Sequence, residues 1–244
     1  MTPFFMAWGM FCAIPCPVKK WDSDGYPGML LCLPLIGLMI GGIWAGAAWG
    51  LGTLRKMKLF SAALLAVLPS LLSGFIHLDG YMDCSDAVLS RRDLETRRKI
   101  LKDSHVGSFA VISFALWLLF SFSLFAGMDW TGKELCLLLI PACVRSCSAA
   151  AVLSFAPMPT SGYARMPESV KPFHKWIAVG EMLLLAAAGV WMQGVSGWSV
   201  AASALGAWAT IFYLRHDLQG MSGDISGSAI TVGELCGVLA LAVL

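Results

Sequence analysis

The chain has 244 residues, of which 58% are hydrophobic and 13% charged, and its formal net charge is +2. A soluble globular domain carries about 25% charged residues, so much of this surface faces something other than water. Disordered protein, coiled coil and a secreted disulfide scaffold are excluded, and so small a net charge does not call for nucleic acid.

The opening stretch, Thr2 to Cys16, is apolar but is interrupted by Pro15 and followed by Pro17. It is too short to cross a bilayer and reads as an interfacial or half-inserted helix. No basic residue precedes it and no small-residue cleavage site follows, unlike a cleaved signal peptide. Apolar runs then occupy about 28–54, 58–76, 107–127, 134–156, 176–193, 197–214 and 229–244. They lack the alternation of barrel strands, and lipid cannot satisfy open backbone groups, so the spans must be helical. The expected fold is an all-α polytopic integral membrane bundle. It has six or seven spanning helices plus the N-terminal interfacial or half-inserted helix, as one domain over 1–244. Trp8, Trp21, Trp44, Trp130, Trp176 and Trp198 lie near run ends, where interfacial anchors sit.

Parity gives the topology. Segments 28–54 and 58–76 form a hairpin, so loop 77–106 returns to the side of Lys19 and Lys20, as do loops 157–175 and 215–228. That side holds 12 of the 17 basic residues, against 4 opposite and Arg145 inside a run. The positive-inside rule makes it cytoplasmic. The eight cysteines mostly lie inside apolar runs, where Cys behaves as a small hydrophobe. No His pair accompanies them at zinc-site spacing.

The most informative stretch is His77-Leu78-Asp79-Gly80-Tyr81-Met82-Asp83-Cys84-Ser85-Asp86. Its three carboxylates share one helical face, within roughly 60° of arc. Such groups repel one another and raise one another's pKa. A hard divalent cation such as Mg2+ or Mn2+ relieves that repulsion and bridges to substrate phosphates. A solvated, acid-rich helix start is the structural alternative. A basic segment follows, with Arg91, Arg92, Arg97, Arg98, Lys99 and Lys102. It reads as a surface helix on the bilayer, with Ser90 and Asp93 as its candidate cap. Its bases either attract anionic lipid or clamp a phosphorylated substrate. The loop closes with Lys102-Asp103-Ser104-His105-Val106-Gly107.

Two more polar segments fall on the same face: Pro157 to Arg165, and Gly220-Met221-Ser222-Gly223-Asp224-Ile225-Ser226-Gly227. In the second, glycines admit an anion close to the backbone, and Ser226 or Ser228 could cap the next helix. Arg145, Glu181 and Glu234 lie within apolar runs. Each costs on the order of 2.5–3.5 kcal/mol to insert at mid-membrane, so they face the interior. Arg145 is either part of a structural ion pair or a phosphate contact at the base of a cavity.

In these blocks the chain resembles the cobalamin synthase family, the adenosylcobinamide-GDP ribazoletransferases. Phe11-Cys12-Ala13-Ile14-Pro15-Cys16-Pro17 is similar to the family's "F-x-x-I-P-x-P" stretch. His77-Leu78-Asp79-Gly80 with Asp83 and Asp86 is similar to "H-L-D-G-x-x-D-x-x-D". Lys102-Asp103-Ser104 with Gly107 resembles "K-D-S-R-x-G", and Gly220, Gly223-Asp224 and Gly227 resemble "G-x-x-G-D-x-x-G". Arg145 and Tyr163-Ala164-Arg165 fit the family's Arg within a span and its "Y-A-R". The chain departs at Ala87, where the family often has Gly, and at His105, where it usually has Arg. Cys84 and Ser85 stand where it has small residues or Thr.

The resemblance implies an enzyme that joins adenosylcobinamide-GDP to α-ribazole or α-ribazole 5′-phosphate and releases GMP. It implies a bacterial inner-membrane protein with Mg2+ as cofactor and a cytoplasmic catalytic loop at about 77–106. Asp79, Asp83 and Asp86 are then the metal ligands. His77, Asp103 and Asp224 are the catalytic candidates, His77 either as base or as a hydrogen-bond partner of a loop carbonyl. Lys102, Ser104, Arg145, Arg165 and Gly223 are the substrate-binding candidates. Partners are the two substrates and the lipid bilayer, without nucleic acid; a homo-oligomer is left open. A CDP-alcohol phosphotransferase would need Asp-Gly-x-x-Ala-Arg, whereas here Asp79-Gly80 is followed by Tyr81-Met82-Asp83, without the Ala-Arg. A transporter would place its acids at mid-bilayer, whereas 6 of the 15 acids here lie between Asp79 and Asp103.

Overall fold

The computed structural model describes residues 2–52, 57–159, 161 and 169–244. Its helices are α1 (Thr2–Phe11), α2 (Tyr26–Leu31), α3 (Leu33–Gly52), α4 (Lys58–Leu72), α5 (Ile76–Leu89) and α6 (Leu94–Ile100). They continue with α7 (Ser108–Gly127), α8 (Glu134–Ser154), α9 (Phe173–Gln193), α10 (Trp198–Leu218) and α11 (Gly223–Val243). Among the described residues there is no strand beyond one isolated bridge, Pro157 with Met221.

Five stretches are long and apolar enough to cross a membrane, six if the bent α4–α5 pair is one span. One of the five, Phe173–Leu218, is 46 residues long and doubles back. Trp208 Nε1 donates to Met182 Sδ at 3.1 Å, and a Cβ on Gly189 would lie 2.8 Å from Val200. These contacts pair the two halves as an antiparallel hairpin, α9 and α10, turning at Gly194–Gly197. The protein is a multi-pass helical membrane bundle.

The loops sort to two ends. Trp130 Nε1 donates to Ala48 O, Lys133 Nζ to Leu241 O and Cys136 Sγ to Ser196 O. These residues mark one end. At the other, Ala13 N donates to Leu72 O and Met221 N to Ala156 O, and Arg97 pairs with Asp217. The polar segments predicted to share one face therefore do share one.

Helix α8 is central, packed on α3, α9, α10 and α11, and nearly every residue from Cys136 to Val152 is buried. Small residues permit this. Gly37 and Gly41 of α3 touch the backbone of Pro141–Ala142 and Leu138, with no room for a Cβ. Lipid tails are as apolar as Leu, so such close backbone approach is how membrane helices gain contact. Arg145 of α8 is 1% exposed and its Nη1 lies 2.9 Å from Glu234 Oε1 of α11. The expected interior ion pair is present; Glu181 takes no part in it.

Three expectations are corrected. Run 58–76 is not one straight helix: α4 stops at Leu72 and the chain turns 92° into α5. Gly74 (φ 66°) and Phe75 (φ 63°) both adopt left-handed backbone there, which ends a right-handed helix. So α5 runs nearly at a right angle to α4 instead of continuing it. The last helix begins at Gly223, because the Ser222 side chain accepts from Ile225 N; Ser226 and Ser228 lie inside it, not at its cap. Trp44 and Trp130 are core residues, buried and donating to Leu65 O and Ala48 O, whereas Trp21, Trp176 and Trp198 are exposed as anchors are.

Gly41→Val is expected to lower stability in detergent by at least about 1–3 kcal/mol, the usual cost of overpacking. Gly46 is the control, because a Cβ added there would meet no atom within 4 Å, and Gly46→Val should leave the melting temperature unchanged.

Candidate active site

The acidic stretch lies on α5, with Asp79, Asp83 and Asp86 toward one face. Helix α11 crosses it backbone to backbone. A Cβ on Gly80 would lie 2.9 Å from the Cα and O of Asp224, and one on Gly227 would lie 2.9 Å from His77 O. Ser228 Oγ donates to Gly80 O at 3.0 Å across the contact. The crossing brings Asp224, 138 positions or more away from the α5 acids in sequence, into their field. Burial pushes the Asp83 carboxyl up to about 7, and the charges of Asp79, Asp224 and Asp86 add to it. Among the described residues, none of Asp79, Asp83 and Asp224 has a basic ion-pair partner. The charge of Lys102 acts weakly on Asp224.

Asp86 stands apart. Its Oδ1 accepts from Ala110 N at 3.4 Å, and its carboxylate fills the space that Gly107 leaves open. It sits at the start of α7, where a helix offers unpaired N–H groups and positive potential. Among the described residues no three His, Cys, Asp or Glu side chains are arranged to hold a metal. That arrangement does not disqualify Mg2+, which usually takes one or two carboxylates and completes its shell with water and substrate phosphate. Asp79, Asp83 and Asp224 are hard oxygen donors without a basic ion-pair partner among the described residues, so the donor set fits such an ion.

Beside these acids lies a cavity of about 290 Å³, whose lining includes Asp79, Asp224, Gly223, His77 and Ser226. His77 is 7% exposed, and its ring stacks on Phe11 at 6.0 Å. Its Nε2 has no hydrogen-bond partner among the described residues.

The remaining expected residues scatter. Lys102, Asp103 and Ser104 are exposed in the loop between α6 and α7. Asp103 accepts from His105 N at 3.0 Å and lies 2.7 Å from His105 Nδ1, and these bonds hold its carboxyl below the usual range. Arg145 is enclosed by Glu234 and by Pro141 O; it answers to the ion-pair alternative. Arg165 lies outside the described residues.

Sequence reasoning missed what the basic helix does. Arg98 donates to Leu218 O at 3.1 and 3.0 Å and to Gln219 O at 2.7 Å, and Arg97 pairs with Asp217. They hold the C-terminus of α10, where bare carbonyls and negative potential suit a guanidinium. The next residues, Gly220 to Ser222, are fastened on their other side, where Met158 N donates to Met221 O at 2.8 Å. Arg97 and Arg98 thus secure the turn that delivers Asp224, rather than facing lipid or phosphate. The cap of α6 is Asp93, which accepts from Thr96 N at 3.0 Å, not Ser90.

Fold and site together define a polytopic membrane protein with an acidic site at one end of its helices. From residue 3 to residue 242 the chain matches the family described as cobalamin-5-phosphate synthase. The adenosylcobinamide-GDP ribazoletransferase of Clostridium perfringens (strain 13 / Type A) is 34% identical over 243 residues, 98% of this chain and 96% of the relative. Those of Clostridium botulinum (strain Alaska E43 / Type E3) and Desulfitobacterium hafniense (strain Y51) are 30% and 34% identical, each over 96% of this chain and 94% of the relative. No solved structure matches. The chain belongs to the cobalamin-5-phosphate synthase family.

Charge-assisted hydrogen bonds are worth roughly 1.5–3 kcal/mol, so Arg98→Ala should cut transferase turnover about tenfold or more. Arg98→Lys should recover part of it. Arg92→Ala, at an exposed position of the same segment, should leave turnover unchanged.

Proposed function

We propose that this chain joins adenosylcobinamide-GDP to α-ribazole or its 5′-phosphate, releasing GMP and giving adenosylcobalamin or its 5′-phosphate. The observation that carries this reading is that Asp79 and Asp224 line one cavity and both act on the charge of Asp83, in a chain matched along its length by ribazoletransferases.

A ribose hydroxyl attacks the phosphorus attached to the cobinamide. The new phosphorus–oxygen bond forms as the bond to GMP breaks, and the hydroxyl proton passes to a base. Three tasks follow for the protein: hold the diphosphate, align the hydroxyl in line with the leaving group, and accept the proton. Asp79, Asp83 and Asp224 would hold Mg2+, which when bound neutralises charge on the diphosphate. Lys102, whose charge reaches Asp224, would meet the same oxygens. His77 and Asp224 both line the cavity, so a hydroxyl presented from it meets an acceptor. Gly223, at the first turn of α11, leaves backbone accessible beside Asp224. Asp86 anchors α7 and acts on the site through its charge.

The face bearing α5, α6 and the loop to α7 is the cytoplasmic face of the bacterial inner membrane in this reading. It holds the basic residues that the positive-inside rule keeps there.

Purified protein in detergent should release GMP from adenosylcobinamide-GDP only when α-ribazole and Mg2+ are both supplied. Asp83→Asn should lower that rate by about a hundredfold or more, as loss of a group that organises transition-state charge does. A wild-type protein without Mg2+-dependent GMP release would overturn the reading. For orientation, Cys84 is no probe, being 1% exposed. Arg92→Cys should instead react with an impermeant thiol reagent only in inside-out vesicles, and Gly132→Cys only in right-side-out ones; the reverse pattern would turn the topology over.

A further inference from the structure

The cavity beside the carboxylates differs between its rim and its interior. Of its lining, Asp79 is exposed and Asp224 half-buried, which puts them at the rim, while apolar groups such as Phe11 and Val152 are buried and line the interior. Among the described residues, no lysine or arginine lines it. A diphosphate therefore finds no counter-charge inside, whereas a cation held by Asp79 and Asp224 would keep it at the rim. The volume, about 290 Å³, stands at the lower end of the roughly 300–1,000 Å³ usual for small-molecule sites. A corrinoid macrocycle with its amide arms is far larger than that, whereas a flat bicyclic base is not.

The interior also carries two orphaned polar atoms. His77 is 7% exposed and Ser226 is 6% exposed, yet His77 Nε2 and Ser226 Oγ have no hydrogen-bond partner among the described residues. Buried polar atoms are nearly always satisfied. Two unsatisfied ones on residues that line a single cavity are what a ligand with polar atoms of its own would satisfy. The Phe11–His77 stack adds an aromatic surface to that wall.

We propose that this cavity seats the aromatic base of the acceptor nucleoside, with its ribose toward the rim, while the corrinoid ring of the donor stays outside. The proposal rests on the ribazoletransferase reading and goes beyond it by assigning the two substrates to separate places. A benzimidazole base suits the chemistry. Its ring edge and methyl groups are apolar, and its one unsubstituted ring nitrogen accepts a hydrogen bond from a buried O–H or N–H.

The test is steady-state kinetics with each substrate varied in turn. Val152→Phe fills the interior and should raise KM for α-ribazole at least tenfold, with KM for adenosylcobinamide-GDP within twofold of wild type. The same variant should prefer the benzimidazole riboside that lacks the two methyl groups, inverting the wild-type order. Ser226→Ala, a near-isosteric change, should raise KM for α-ribazole about fivefold and leave the donor's KM alone. A general loss of packing would lower kcat with both acceptors alike and invert nothing. A rise in the donor's KM, or an unchanged preference between acceptors in active variants, would overturn the assignment. Absence of GMP release by the wild-type protein would instead sink the ribazoletransferase reading beneath it.

Discussion

The contact between the backbones of α5 and α11 is the constraint on which the site depends. Gly80 lies on Asp224, and Gly227 lies on His77. A side chain at either glycine would force the helices apart and withdraw Asp224 from Asp79 and Asp83. The contact gathers like charges, which opposes folding, so other bonds have to offset it. Ser228 spans the crossing to Gly80 O, and Ser222 caps the start of α11. Arg97 and Arg98 fasten the preceding turn to α6. A cation shared with a diphosphate would then meet carboxylates already assembled, which is the advantage of preorganisation.

Beneath this contact, Arg145 and Glu234 tie α8 to α11. A buried ion pair adds little net stability, because desolvation of both ions offsets their attraction. Its consequence is positional. With α8 fixed against α3 through Gly37 and Gly41, a pair at one depth sets how far α11 slides along α8. That register determines the height of Asp224 at the start of the same helix. The interior polar pair and the acidic site are thus two points on one rigid element.

Much of the fold was legible because its signals are local. Apolar length reports a span wherever the segment sits, and the placement of bases reports a side. The common face of loops 77–106, 157–175 and 215–228 followed from counting crossings. The 3- and 4-residue spacing of Asp79, Asp83 and Asp86 marked their helical face as well. What escaped was decided by tertiary contact. Trp44 and Trp130 resemble anchors by position, but each finds a buried carbonyl. Asp86 belongs to the acidic motif, yet it is engaged by the start of α7. Arg97 and Arg98 look like a solvated basic face until the end of α10 arrives beneath them. Gln219 (φ 52°) and Phe75 (φ 63°) adopt left-handed backbone beside Gly220 and Gly74, a conformation that their own residue types do not announce.

The central claim is that acids from two distant segments act as one site. A double-mutant cycle tests it directly, with the Mg2+ concentration for half-maximal GMP release and the turnover measured for Asp83→Asn, Asp224→Asn and the pair. Groups that share one site are coupled, by about 0.5–3 kcal/mol in such cycles. The account predicts that the second substitution costs far less once the first is made, with coupling above about 1 kcal/mol. Strictly additive losses from the two substitutions would contradict it.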